Sequence, residues 1–433
     1  MGLADLACGF ACVDLACIDA AASAQPTKRL RPVQNSDGPS IGQLRAFEAV
    51  LRERSFSKAA KELRLTQPAL TRSIAKLEAA FGIPLFERRA AGTVPNENGL
   101  ILGRRITRFI DQFAASLDLP NTSKRPAAER AVRVRGVHIR SLLAIWRLGS
   151  FRAAAAALGI SDSSLHRPAR EIEQIAGARL YRRSASGVVV TPVGAELARR
   201  FALAMSEIDS ARDEIGISIT QRPAIRIGVL PLTPRRFLSA ATELALRQDT
   251  QRRIEIVEGS YPVLSQQVQD GRLDILFGAL PPGKPGESLV EEPLVEDPYV
   301  VVCRSGHPLA RKERLSPENL RGYGWIHPSA SLPRRSVVDN LLRTWGLDAQ
   351  VEIETDSLTM TISMLFSTDR VTILSQWHVG DRSGLVRLHL PPVPHAPRLV
   401  GMTSRSNWLP TPFQQNFLSL LKTELKDWNL STA

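Results

Sequence analysis

Leu44, Phe47, Val50 and Leu51 recur at helical spacing, and Ser55 caps a second short helix carrying Ala59, Ala60 and Leu63. The small alanines allow the two helices to cross closely. A third helix is predicted from the cap Thr66. Pro68 is tolerated in its first turn, Leu70, Ile74 and Leu77 point inward, and Thr71, Arg72, Ser73 and Lys76 point out. Beyond it, Phe86-Glu87-Arg88-Arg89, a turn at Gly92 and Val94 read as a short β-wing. The pattern is a helix-turn-helix with its reading helix and a wing.

The same pattern returns 95 residues later. Ser55-Phe56 recurs as Ser150-Phe151, Ala59-Ala60 as Ala154-Ala155, Leu63 as Leu158, Arg72 as Arg167, Glu78 as Glu173, and Gly99 as Gly194. A gapless match of this length means two copies of one small domain. The second copy departs at its surface. Pro168 stands where the first copy has Ser73, and Glu171 where it has Lys76. An interior proline costs ~3 kcal/mol unless the helix starts later or kinks. This copy is therefore expected to read DNA poorly or differently, with His166, Arg167, Arg170, Arg182 and Arg183 still available.

Each copy runs into a long helix. From Asn96 to about Leu117 an apolar stripe of Leu100, Ile101, Ile106, Phe109, Ile110 and Phe113 is expected, with Arg104, Arg105 and Arg108 outside. Pro120 to Arg135 reads as a flexible connector, and a second such helix spans Gly194 to about Ile217. Thereafter strands and helices alternate. Ile225 to Leu230 is a buried strand followed by the helix start Thr233-Pro234. Ile254 to Val257 leads to Gly259-Ser260-Tyr261-Pro262, and Leu273 to Gly278 forms the next strand. Such alternation implies a parallel sheet with a cleft at the strand C-terminal ends.

Composition narrows the partners. The 56 Lys and Arg against 43 Asp and Glu give a formal charge of +13 over 433 residues, which favours a polyanion. No apolar run reaches the ~18 to 20 residues needed to cross a bilayer. Met1 to Ala24 is apolar, but Asp5, Asp14 and Asp19 interrupt it and no basic residue precedes it, unlike a secretion signal. Residues 1–40 are expected to be a dispensable or mis-started tail. Cys8, Cys12, Cys17 and Cys303 read as free thiols. No Gly-x-Ser-x-Gly elbow, phosphate-binding loop, paired-histidine metal motif or dinucleotide loop is found, so no catalytic residue, cofactor or metal is assigned.

The blocks Ser55-Phe56-Ser57-Lys58-Ala59-Ala60, Thr66-Gln67-Pro68-Ala69-Leu70-Thr71-Arg72 and Pro84-Leu85-Phe86-Glu87-Arg88 resemble the signature of LysR-type transcription regulators, in family order. After the wing the family usually has Leu-Thr-Glu-x-Gly. This chain has Pro95-Asn96-Glu97-Asn98-Gly99, in which Asn96 can still cap the helix. Gly271-Arg272-Leu273-Asp274-Ile275, Glu296-Asp297 and Arg304 to Leu309 are similar to the family's effector domain. The tandem layout and Trp325-Ile326-His327-Pro328 resemble a subgroup that regulates a galactose-binding protein. The resemblance runs from about Ile41 to Leu421.

The resemblance implies two tandem, mainly helical winged helix-turn-helix domains (41–95 and 137–193), each with a linker helix (96–118 and 194–218) and a connector at 119–136 between them. A two-lobed α/β effector domain like the periplasmic binding proteins follows at 223–433. Its chain is expected to cross near Tyr299 into lobe 2 (about 300–397) and to return near Pro397. Leu399 to Ser404 and the helix from Pro412 would complete lobe 1.

Double-stranded DNA would be met by Ser55, Ser57, Thr66, Gln67, Pro68, Ala69, Thr71, Arg72, Lys76, Arg88 and Arg89, with His166, Arg167, Arg170 and Arg183 as secondary candidates. A polar or anionic effector would sit between the lobes, against Thr233, Ser260, Tyr261, His327, Ser329 and Ser357. Helix starts at Thr233, Ser260 and Ser357 would aim free N–H groups at it. In this family linker helices pair two subunits, so dimerisation into a homodimer or homotetramer is favoured over packing within one chain. The expected location is the cytoplasm, on the bacterial nucleoid. A solute-binding protein without a transcriptional role is the alternative; it would need an export signal and no DNA-binding head.

Overall fold

In a computed structural model the described residues are 39–432, apart from 90–91, 119–124, 185–186, 218–223, 234, 282, 284, 331, 348–350, 380–383 and 392–397. Residues 1–38, with Cys8, Cys12 and Cys17, lie outside them, as does Pro397.

The first head is built from α1 (Ile41–Glu53), α2 (Phe56–Glu62), α3 (Gln67–Phe81) and a hairpin of β1 (Phe86–Arg89) and β2 (Gly92–Pro95), and it leads into α4 (Glu97–Ser116). A short helix α5 (Ala127–Arg133) precedes the second head. That head comprises α6 (Gly136–Leu148), α7 (Phe151–Leu158), α8 (Asp162–Ala176), β3 (Tyr181–Ser184) and β4 (Gly187–Val190), and it leads into α9 (Pro192–Glu214).

The two copies share local causes. Ser55 and Ser150 cap the second helix, accepting from the N–H groups of Lys58 and Ala153. Gly99 and Gly194 repeat because a Cβ there would lie 2.1 Å from the Leu85 carbonyl and 2.4 Å from that of Leu180.

The connector is not wholly irregular. Within α5, Arg130 is buried and donates to the Ala176 carbonyl at 2.9 Å, tying the connector to the end of α8. The proline in α8 also behaves otherwise than expected. The helix runs unbroken from Asp162 to Ala176, as long as α3, with Pro168 buried beside Leu165 and Ala169. Packing of the ring into the head's core offsets its missing N–H.

The largest departure concerns the linker helices. α4 does not present its stripe to a second subunit: it lies antiparallel against α9 of its own chain. Phe113 stacks on Phe201 at 4.7 Å and on Phe109 at 5.4 Å. Arg105, expected outside, is 1% exposed. It donates to Glu207 at 2.8 Å and also pairs with Glu214. Arg108 reaches Glu207 at 3.0 Å and Arg104 reaches Glu214 at 2.9 Å. Leu100, placed in the stripe, is exposed.

The effector domain has two lobes. Lobe 1 carries β5 (Ile225–Val229), α10 (Arg235–Gln248), β6 (Ile254–Glu258), α11 (Tyr261–Gln269), β7 (Ile275–Ala279) and β8 (Leu289–Glu296). Lobe 2 carries β9 (Tyr299–Arg304), β10 (Trp325–Pro328), α12 (Pro333–Thr344), β11 (Val351–Thr355), α13 (Leu358–Ser367), β12 (Thr372–Ser375) and β13 (Leu385–Arg387). The chain returns to lobe 1 with β14 (Leu399–Arg405) and α14 (Pro412–Thr432).

Lobe 1 is a five-stranded sheet in the order β6-β5-β7-β14-β8, in which β5 runs parallel to β6 and β7 while β14 is antiparallel to both its neighbours. In lobe 2, β12-β9-β13 and the parallel pair β10-β11 are joined by a bridge from Trp325 to Val371. The polypeptide crosses between lobes at Asp297 and at Arg398, where the Asp297 N–H donates to the Arg398 carbonyl at 2.8 Å.

Candidate nucleic-acid interface and effector cleft

The outward face of α3 is polar and open. Thr66 caps the helix by accepting from the Ala69 N–H, and the Ser57 hydroxyl donates to the Gln67 side chain at 3.1 Å, fixing α2 against α3. Thr71 donates back to the Gln67 carbonyl at 3.0 Å. Gln67, Pro68, Ala69, Thr71, Arg72 and Lys76 are all exposed, and among the described residues Arg72 and Lys76 have no ion-pair partner. Arg88 and Arg89 lie in β1, and their side chains fall outside the described part.

The equivalent face of α8 is already occupied. Glu171 accepts from His138 at 2.8 Å, from Arg135 at 2.5 Å and from Arg167 at 2.9 Å. The His138 and Arg167 bonds are the main causes that hold its carboxyl down at about 2. The carboxylate is thus not bare toward a phosphate, but it draws Arg167 onto its own helix. His166 stacks on Phe151 at 4.9 Å. Arg170, Arg182 and Arg183 are exposed.

Between the lobes the expected ligand hydroxyls have other duties. Thr233 is buried and its hydroxyl donates to the Phe277 carbonyl at 3.3 Å; α10 starts two residues later, so Thr233 does not cap it. Tyr261 turns away from the cleft and donates to Glu291 at 2.8 Å, beside Thr403 in the middle of the sheet. Ser357 caps α13 through the Met360 N–H at 3.2 Å. Ser260 starts α11 with an exposed hydroxyl that makes no cap bond. Ser329 lies past β10, its N–H on the Thr355 carbonyl. His327 is buried with both ring nitrogens unpartnered, and burial lowers its pKa.

The structure assembles instead a cationic cluster at the hinge. Asp297, wholly buried, is paired with Arg398 and accepts from the Ser375 hydroxyl at 2.6 Å. Burial raises its carboxyl to about 6 despite those partners. Arg398 also donates to the Leu232 carbonyl of lobe 1 at 2.7 Å, and it lies over the Tyr299 ring.

Arg334, at the start of α12 in lobe 2, is 5% exposed, and its Nε and Nη1 have no partner. Burial, then the charge of Arg398, lowers its guanidinium to about 10. The His378 ring has an unpartnered Nδ1 and is pushed down to about 4 by burial and by Arg398, Arg235 and Arg334. Asp297 offsets Arg398, and Glu258 pairs with Arg235 at 2.9 Å. Arg334 is left uncompensated. Sequence reading passed over Arg334 and Arg398, because a lone arginine in a helix or beside a strand is ordinarily solvated. The only signal was the position of Arg398 next to the predicted return crossing.

The bacterial regulatory helix-turn-helix model of the lysR family matches residues 41–100 and again 137–195, and the LysR substrate binding domain model matches 220–426. The HTH-type transcriptional regulator GalR of Pseudomonas putida is 27% identical over 378 residues, covering 86% of this chain and 94% of that protein. A match this long does not fit within the second head and effector domain alone, so it takes in part of the first head. The regulator GbpR of Rhizobium radiobacter is 30% identical over 247 residues, 55% of this chain and 80% of that protein. A full-length OxyR variant from Pseudomonas aeruginosa superposes with a TM-score of 0.48 at 19% identity, covering 67% of this chain and 94% of that one. The named relatives are regulators, not enzymes. With two head matches and an effector-domain match that together span most of its length, the chain belongs to the LysR family of DNA-binding, effector-responsive transcription regulators.

Proposed function

We propose that the first head supplies the sequence-reading contacts, through Thr71, Arg72 and Lys76 on α3, with Ser55, Ser57 and the start of α3 framing the groove and Arg88 and Arg89 on flanking phosphates. The second head then acts as an auxiliary clamp through Arg170, Arg182 and Arg183. The observation that carries this reading is the contrast between two equivalent faces. Arg72 and Lys76 are exposed and unpaired, whereas Arg167 is paired to Glu171 at 2.9 Å. A free guanidinium can pair with a base edge, while one held by a carboxylate must first break that pair. The experiment compares Arg72→Ala with Arg167→Ala on an operator selected by the full chain and on its scrambled counterpart. Arg72→Ala is expected to cost ~1 to 3 kcal/mol on the operator and to relax discrimination. Discrimination lost with Arg167→Ala and kept with Arg72→Ala would reverse the roles.

The effector in this reading is a small anion held in the cleft by Arg334 and Arg398. A buried arginine without a counter-charge is costly, and an entering carboxylate or phosphate supplies that charge. Lobe movement has a direct route to the heads, because Arg105 donates to the Leu409 carbonyl at 3.0 Å and Arg108 bonds the Asn407 carbonyl, both in the β14–α14 loop. A DNA target puts the site of action on the nucleoid. Any dimer or tetramer is built through surfaces other than the α4–α9 pair.

A further inference from the structure

We propose that one chain is a complete two-headed DNA reader, its linker helices clasped in cis so that α3 and α8 address one duplex with two unlike half-sites. Three observations converge on this, and none depends on which head makes the base contacts.

The first is symmetry. Gln112 and Glu207 are 95 residues apart, the offset that relates the two copies, and their side chains bond at 3.1 Å. Equivalent positions touch only where a two-fold axis passes. Around that axis the pairing is reciprocal. Phe113 stacks on Phe201, and their equivalents Ile208 and Ile106 are buried in the same core; Arg105 meets Glu207 while Arg200, its equivalent, donates to the Ala115 carbonyl at 3.3 Å. One chain therefore builds the isologous geometry that two identical subunits would otherwise share.

The second is charge. Each helix is wrong for its own copy. Two α4 helices would set Arg105 and Arg108 against Gln112 with no acid to meet them, and two α9 helices would oppose Glu207 to Glu207. Only α4 against α9 brings Arg104, Arg105 and Arg108 onto Glu207 and Glu214. The like-charge arrangements are selected against in the buried interface.

The third is the tether. The chain leaves α4 at Ser116 and re-enters helix at Ala127, and buried Arg130 anchors that return to Ala176. A link this short presents α9 to α4 at an effective concentration on the order of mM. Exchange with a second chain must compete against that.

The reading faces then differ position by position: Gln67, Ala69, Thr71 and Lys76 on α3 against Asp162, Ser164, His166 and Glu171 on α8. Unlike faces call for unlike half-sites, not a palindrome.

The test cross-links α4 to α9 in full-length protein carrying Ala115→Cys and Arg200→Cys, with Cys8, Cys12 and Cys17 changed to Ser and buried Cys303 left in place. Neither changed position belongs to the Arg105 network. Ordinary and nitrogen-15-labelled chains are unfolded together, refolded, treated with a short bis-maleimide and digested. Peptide pairs joining 115 to 200 only within one isotope are expected. Mixed-isotope 115–200 pairs in statistical proportion would overturn cis pairing in favour of exchange between chains. An interchain adduct from Ala115→Cys alone would overturn it in favour of an α4–α4 dimer, and a folded protein giving no 115–200 adduct would overturn it outright.

Discussion

The Gln112 side chain donates to Glu207 at 3.1 Å across a helix pair whose two members are repeats of one another. Glu207 in turn accepts from Arg105 and Arg108, so the pseudo-axis is held by a buried basic–acidic network and not by apolar contact alone.

Removing Arg105 strips two nearly buried carboxylates of their main partner. Arg105→Ala is expected to destabilise the full chain by ~3 to 5 kcal/mol, the usual cost of leaving one side of a buried pair. Gln112→Ala, which removes a neutral bond, should cost about 1 kcal/mol. Chemical denaturation followed by far-ultraviolet dichroism measures both, and equal losses would contradict the network.

Arg334 is predicted to trade stability for response. Arg334→Met removes an uncompensated buried charge at similar volume, so the unliganded protein should melt at a higher temperature. The same variant should lose stabilisation by small carboxylates and phosphates in a thermal-shift screen. A variant that melts lower, or keeps the ligand shift, would remove Arg334 from the effector site.

The hinge carboxyl gives a pH dependence with a defined sign. Asp297 titrates near 6 in the fold against an ordinary value of 3.8. Its neutral form is thus favoured by folding, and that contribution to stability is full below 3.8 and lost as pH rises through about 6. Protonation also frees Arg398 from its partner. Affinity for an anion is therefore expected to rise as pH falls from 7.5 to 5.5, and Asp297→Asn should flatten the profile. His378, held near 4, stays neutral across this window.

Pro168 sits inside an intact helix, so its replacement should help. Pro168→Ala restores a backbone N–H worth ~3 kcal/mol and gives up two buried methylenes at ~0.8 kcal/mol each, leaving a gain of about 1 kcal/mol. A loss of stability on denaturation would mean that the ring's packing outweighs its missing bond.

The salt response of DNA binding counts the phosphate contacts. Each contact contributes about −0.9 to the slope of log K against log salt. Lys76→Ala should lower the slope by roughly one on any sequence if it meets phosphate, and leave it intact while relaxing specificity if it meets a base. A variant with unchanged affinity would place Lys76 off the DNA.

Local rules carried the heads. Ser55, Thr66 and Asn96 are caps, Leu70, Ile74 and Leu77 are buried, and the strand–helix alternation after Ile225 is a two-lobed α/β domain. What failed depended on partners far along the chain. Arg105 reads as a solvated residue until Glu207 and Glu214, about a hundred positions on, are brought against it. Thr233 reads as a cap because Pro234 follows, yet the nearest acceptor is the Phe277 carbonyl of a neighbouring strand. Arg334 and Arg398 meet only through folding of the hinge, so no spacing rule joins them. The 95-residue offset was visible, but that the copies pair with each other lay in the charges of α4 and α9 read together.

The most direct measurement is the native mass of the full chain on a duplex enriched by that chain from a random library, joined to hydroxyl-radical footprinting of the same complex. One chain per duplex protecting two adjacent, dissimilar segments is the predicted result, with Arg72→Ala erasing protection of one segment first. Two chains per duplex, each protecting one copy of a palindrome, would contradict the account.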